Sequence, residues 1–296
     1  MTTLDQQLIA PIATPLLGRN TLLDKAFYDV GKLSAAELGE LDALGRDGEG
    51  AILVMEPAGS SRPLRHYPNA GAYLASPDRD TKALVVAGVG SSAIGTAALA
   101  RNVADAYGHA VAGVVTGFGL SDLMTEALGG WFFYGALDRL RAGLRRAIAQ
   151  MESWKAASTP ATRGAPATRS LGFDDLLTLG QVLAAAPDGL RLVVGHSKGC
   201  LLLDAVLEQL ATTRPTDPLW DRLHVATLGA VVDLPPAVRH AHQFLGSLDW
   251  FGGLNSRRDV PHTRIAGAWH HLNTSAATPF HMDAEAVLRE HVVLPA

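Results

Sequence analysis

Three short apolar runs do most to limit what this chain can fold into. Ala83-Leu-Val-Val-Ala87 and Val111-Ala-Gly-Val-Val115 carry no charged residue, and Leu190 to Val194 reads as a third strand of the same kind. A strand with no polar alternation has no face for water, so these runs belong in a parallel sheet covered on both sides. Segments of helical pattern separate and follow them: Ile94 to Tyr107, Ser121 to Trp154, Phe173 to Ala186 and Cys200 to Leu210. Strand, helix and strand in succession imply βαβ units and an α/β fold with a mostly parallel central sheet flanked by helices.

The rest of the chain fills in around that frame. Residues 1–50 read as a helical N-terminal extension, and Ser34-Ala-Ala-Glu37 has capping-box spacing ahead of Leu38, Leu41 and Leu44. Ala51 to Met55 and Leu64 to Tyr73 are candidates for edge strands. Leu223 to Val232, Gln243 to Leu248 and Arg264 to Ala268 are further short strand candidates, and Ala284 to His291 is a closing helix. Lys155 to Ser170 is rich in Ala, Thr, Ser and Pro, so it buries too little apolar surface for a core element and is expected to be a surface loop.

At 296 residues the chain suits one large α/β domain, here 51–296, carrying the extension at 1–50. Hydrophobic residues at 48% and charged residues at 18% exclude a disordered chain. Lys+Arg 25 against Asp+Glu 29 gives a net charge of −4, which offers no electrostatic basis for nucleic-acid binding. No stretch approaches the ~20 apolar residues of a bilayer span, and Met1 to Leu16 lacks a basic region followed by an apolar block. A cytoplasmic protein is expected. The single Cys200 cannot form an internal disulfide and fits a reducing compartment.

Between the strand ending at Val194 and the helix starting at Cys200 lies Gly195-His-Ser197-Lys-Gly199. This is G-x-S-x-G at a strand-to-helix turn, the setting in which a sharp turn strains the serine backbone and lifts its hydroxyl above the sheet. In these residues the chain resembles the α/β-hydrolase family, over roughly residues 80–296. The resemblance implies a serine hydrolase without cofactor or metal, whose chain order is serine, then acid, then histidine. It also implies an oxyanion hole from the backbone N–H groups of Val89, in Ala87-Gly-Val-Gly90, and Lys198, where Ala87 departs from the histidine often found in the family.

For the acid, Asp249 in Gly246-Ser-Leu-Asp249 matches the usual acid-bearing strand end, with Asp233 as the alternative. For the base, Gly267-Ala-Trp-His270 aligns with the family's glycine-rich turn before the histidine, and His271 and His281 stay open. Asp249 and His270 are close in sequence, so the helix the family places between them is expected to shrink to a loop.

Competing patterns carry less. Gly88-Val-Gly90-Ser-Ser-Ala93 fits a dinucleotide fingerprint, but no acidic residue closes the next strand to hold a ribose. His240-Ala-His242, with His262 or His271, could in principle hold zinc, yet no further carboxylate or thiol supports it, and surface histidines are the expectation. Cys200 reads as a small buried side chain. Gly130-Trp-Phe-Phe-Tyr134 concentrates aromatics, and residues 121–170 are a candidate lid lining an acyl pocket.

The expected activity is therefore hydrolysis of esters with hydrophobic acyl groups. Thioester hydrolysis, acyl transfer by the same residues, and a non-catalytic binding protein of the same fold are the alternatives. The expected partner is a small hydrophobic ester or thioester.

Overall fold

A computed structural model describes residues 24–44, 48–88, 91–116, 174–254, 256–274 and 280–295. The candidate lid at 121–170, the aromatic run at Trp131 to Tyr134, the loop at Lys155 to Ser170, the first part of the extension and Val89 lie outside the described residues. Among those described, β1 (Ile52–Met55), β2 (Arg65–Tyr67), β3 (Ala83–Val86), β4 (Val111–Val114), β5 (Leu192–His196), β6 (His224–Leu228), β7 (His240–Gly246) and β8 (Thr263–Ile265) form one open sheet. Their order is β2-β1-β4-β3-β5-β6-β7-β8. β1 runs antiparallel to both neighbours, and every other pairing is parallel.

Helices follow the strands: α1 (Ala35–Leu44), α2 (Ala70–Leu74), α3 (Ala93–Tyr107), α4 (Asp174–Ala185), α5 (Lys198–Thr213), α6 (Leu219–Arg222), α7 (Trp250–Leu254) and α8 (Ala284–His291). Because side chains alternate across a strand, each apolar run feeds two cores. Leu53, Val85, Leu192 and Val194 join α3 and α8 on one face. Ile52, Leu84, Val86 and Val193 join α4 and α5 on the other. Burial on both faces is why the central strands show no polar alternation.

The expected strands form, with shifted ends that have local causes. β1 lies inside the sheet rather than at its edge, and all four of its residues are buried between β2 and β4. β5 starts at Leu192 because the Leu190 N–H closes a turn onto the Pro187 carbonyl. β6 stops at Leu228, where Gly229 takes a left-handed φ of 71°. β7 begins three residues earlier than expected, since His240 pairs with His224. Of Leu64 to Tyr73, only Arg65–Tyr67 is strand; Asn69 then caps α2 by accepting the Ala72 N–H.

The described part of residues 1–50 is packed into the domain. Ser34 and Glu37 form the capping box of α1, with bonds of 2.8 and 3.2 Å. Tyr28, Val30, Leu33 and Leu41 are buried in the core that contains α3. Buried Asp29 accepts hydrogen bonds from Asn102 on α3 and from the backbone and hydroxyl of Thr274. No helix among the described residues is long and apolar enough to cross a membrane.

Candidate active site

The parallel register brings the carboxyl ends of β3, β5, β6, β7 and β8 to one edge of the sheet, the edge where open α/β sheets leave a crevice. At the end of β5 the chain passes into α5 through a single residue. Ser197 has φ 53° and ψ −123°, a conformation that side chains rarely adopt and that is held here by its surroundings. Its N–H donates to the Leu228 carbonyl at 2.9 Å and its carbonyl accepts the Cys200 N–H at 3.0 Å. Gly199 lies so close to β3 that an added Cβ would collide with the carbonyl oxygens of Val86 and Ala87, and one at Gly195 would come within 3.0 Å of the Cys200 backbone. Those two contacts explain why glycine flanks the serine on both sides.

Asp249 follows β7 in a turn that leads into α7, and its Oδ1 accepts the Gly252 N–H at 2.6 Å. His270 follows β8. Its Nδ1 lies 2.8 Å from Asp249 Oδ2 and its Nε2 lies 2.9 Å from Ser197 Oγ. The imidazole and the carboxylate are buried, at 2% and 3% exposure, whereas Ser197 is half-buried. Phe251 packs edge-on against the His270 ring at 4.9 Å between centroids, and Phe27 does so at 6.0 Å. A Cβ at Gly229 would come within 3.1 Å of the same ring, so that position also needs a glycine. The stretch between Asp249 and His270 is not reduced to a loop, contrary to the expectation from its length: its described residues include the five-residue helix α7 ahead of a loop and β8.

The other candidates sit elsewhere. Asp233 is exposed and faces Arg257 at 3.4 Å. His271 is buried beside Trp269 and His281, and its carbonyl accepts the Met282 N–H. Lys198 opens α5, the helix end whose dipole and N–H groups favour an anion. Burial pushes the Cys200 thiol up to about 12, and it lies under the elbow with Sγ toward the Leu228 carbonyl. His240 and His242 stand with His224 at the opposite edge of the sheet, and His262 instead faces the Val260 carbonyl. Among the described residues no group of three or more His, Cys, Asp or Glu side chains is arranged to hold a metal ion.

Sequence reasoning missed the residues behind this chain. Tyr28 Oη lies 2.8 Å from the Gly88 nitrogen and 2.8 Å from His196 Nδ1. Buried Asp24 accepts hydrogen bonds from the Ser91 hydroxyl at 2.9 Å and from the Ser92 N–H at 3.0 Å. No motif marks either residue, because each acts across a long sequence separation on a loop it does not adjoin. Apolar side chains near Asp249 in sequence are exposed: Leu248, Trp250 and Leu254 at 47%, 64% and 59%, and exposed Phe280 accepts the Trp269 N–H through its carbonyl. Compared with protein-family models, curated proteins and solved structures, the chain finds no match.

Proposed function

We propose that this protein is a serine hydrolase of the α/β-hydrolase type that cleaves carboxylic esters with hydrophobic acyl groups. The observation that carries the proposal is the hydrogen-bonded chain from Asp249 through His270 to a serine held at a strained strand-to-helix turn. Ser197 is the nucleophile, His270 the general base and Asp249 the carboxylate that keeps the imidazole proton on Nδ1.

In this mechanism Ser197 Oγ attacks the acyl carbon while His270 Nε2 takes its proton. Asp249 stabilises the imidazolium without being protonated itself. The tetrahedral oxyanion is met at the start of α5 by the Lys198 N–H and, by the family resemblance, by that of Val89. Collapse breaks the bond to the leaving alcohol, which receives the proton from His270. Water, deprotonated by the same imidazole, then attacks the acyl-enzyme, and Ser197 recovers its proton as the acid leaves. The exposed Leu248, Trp250, Leu254 and Phe280 favour an apolar acyl group over a charged one.

The test is covalent labelling by a fluorophosphonate, run with a panel of p-nitrophenyl esters and matching thioesters of increasing chain length. Wild-type protein is expected to label and to prefer medium-chain over acetyl esters, and Ser197→Ala to lose both properties. An unreactive wild-type serine would instead support the non-catalytic reading, and a preference for thioesters would change the substrate class.

A further inference from the structure

The Gly88 end of the expected oxyanion loop and the backbone of the general base are joined by a second hydrogen-bond chain that the mechanism does not use. It runs from the Gly88 nitrogen to Tyr28 Oη, from Tyr28 Oη to His196 Nδ1, and from His196 Nε2 to the His270 carbonyl at 3.1 Å. Its polarity follows from the one group with no choice. A carbonyl oxygen can only accept, so His196 carries its proton on Nε2. Burial pushes the His196 pKa down to about 3, so the ring is neutral and its Nδ1 is a lone pair. Tyr28 must therefore donate to Nδ1, and its oxygen is left to accept from Gly88. Every link has one allowed direction.

From this we infer that Tyr28 and His196 are positioning residues for the reaction: they fix the Gly88 end of the oxyanion loop and the His270 main chain relative to each other. Tyr28 is 60 positions from Gly88 and 168 from His196, so a segment remote in sequence sets this alignment. Asp24, one helical turn before it, holds the far end of the same loop through Ser91 and Ser92. Gly88 on one side and Ser91 and Ser92 on the other are thus bonded to residues 24–28. His196 is also suited to sit 5.3 Å from the catalytic ring, because a neutral neighbour adds no repulsion when His270 becomes cationic.

The inference rests on the reading of Ser197 as nucleophile, so its experiment separates the two. Turnover of a medium-chain p-nitrophenyl ester is measured per active site, with sites titrated by the fluorophosphonate so that misfolded protein does not count. Tyr28→Phe keeps the ring and removes the hydroxyl. Because the oxyanion donors are displaced rather than deleted, kcat is expected to fall about 10- to 100-fold with KM within about threefold. His196→Gln keeps a donor toward the His270 carbonyl, and it is expected to retain about tenfold more activity per site than His196→Leu.

A Tyr28→Phe kcat within twofold of wild type, or equal impairment by Gln and Leu at position 196, overturns the positioning role while leaving Ser197 intact as nucleophile. Should Tyr28→Phe fail to fold, the pair at position 196 decides. If wild-type protein itself does not label, the nucleophile reading fails and the positioning role falls with it.

Discussion

β6 and β7 meet histidines at both of their ends, and the two groups differ in kind. At the amino ends His224, His240 and His242 stack nearly parallel, with ring centroids 4.5 and 5.3 Å apart, and His224 Nδ1 faces His242 Nε2 at 3.1 Å. At the carboxyl ends His270 and His196 are tilted against each other, and each ring nitrogen meets a different chemical group: a carboxylate, a serine hydroxyl, a phenol and a carbonyl. Histidines gather at both ends, but among the described residues only His270 has a buried carboxylate on one ring nitrogen and a serine hydroxyl on the other. What distinguishes them is a buried acceptor on one side of an imidazole and a strained hydroxyl on the other.

Asp249→Asn breaks that distinction most directly. The amide carbonyl can still accept the Gly252 N–H, so the turn into α7 survives, but an amide NH₂ facing His270 Nδ1 favours the wrong tautomer. On the proposed mechanism kcat falls about 10³- to 10⁴-fold, with the folded protein intact by circular dichroism. Ester hydrolysis by purified protein is the measurement. A loss smaller than tenfold would mean that the buried carboxylate only packs, and the two ends would then differ in geometry but not in function.

The carboxyl end was partly legible in advance because its chemistry is local. Gly195, Ser197 and Gly199 are adjacent in sequence, and the steric reasons for them act within a few residues. Asp249 and His270 could be proposed because each follows a short strand and the family resemblance implies the order serine, acid, histidine. His270 is preferred over His271 by the Gly267-Ala-Trp-His270 turn that the resemblance aligns, and His270 is the one that lies within hydrogen-bond distance of Asp249 and Ser197. Tyr28, His196 and Asp24 could not be assigned roles, since their partners are set by how residues 24–33 fold back over α3 and the loop after β3. The strand ends shifted for the same reason: β7 is lengthened by pairing with β6, a tertiary effect that the pattern of Gln243 to Leu248 alone cannot show.

A second carboxylate at this end, Asp24, sharpens the comparison through pH. Burial, which outweighs the hydrogen bonds from Ser92 and Ser91, raises its pKa from 3.8 to about 6. The folded state therefore holds this proton more tightly than the unfolded state does. Asp24 favours folding while protonated, and that contribution is lost as pH rises from about 4 to about 6, by at most about 3 kcal/mol. Asp24→Asn removes this dependence. In urea unfolding between pH 4 and pH 7, wild type is expected to lose stability relative to Asp24→Asn as pH rises. A difference that stays constant with pH would show that the loop anchor is not a desolvated carboxylate.

The smallest effect is expected at the amino end. Burial, followed by the charges of neighbouring histidines, lowers the pKa values of His224 and His242, and His240 contributes to both shifts. A histidine whose folded pKa lies below its unfolded value costs stability as pH falls through the ordinary range near ~6.5, because the unfolded chain takes up the proton first. His240→Ala should raise both remaining pKa values toward that range and lessen the loss of stability below it. Imidazole NMR titration follows the first effect, and unfolding at pH 5 and pH 8 follows the second. Ester hydrolysis is expected to stay within about twofold of wild type, as for a partly exposed substitution away from the reacting groups. If it fell as far as in Asp249→Asn, the two histidine groups would be coupled through β6 and β7, and the separation between a reactive end and an inert end of the same strands would fail.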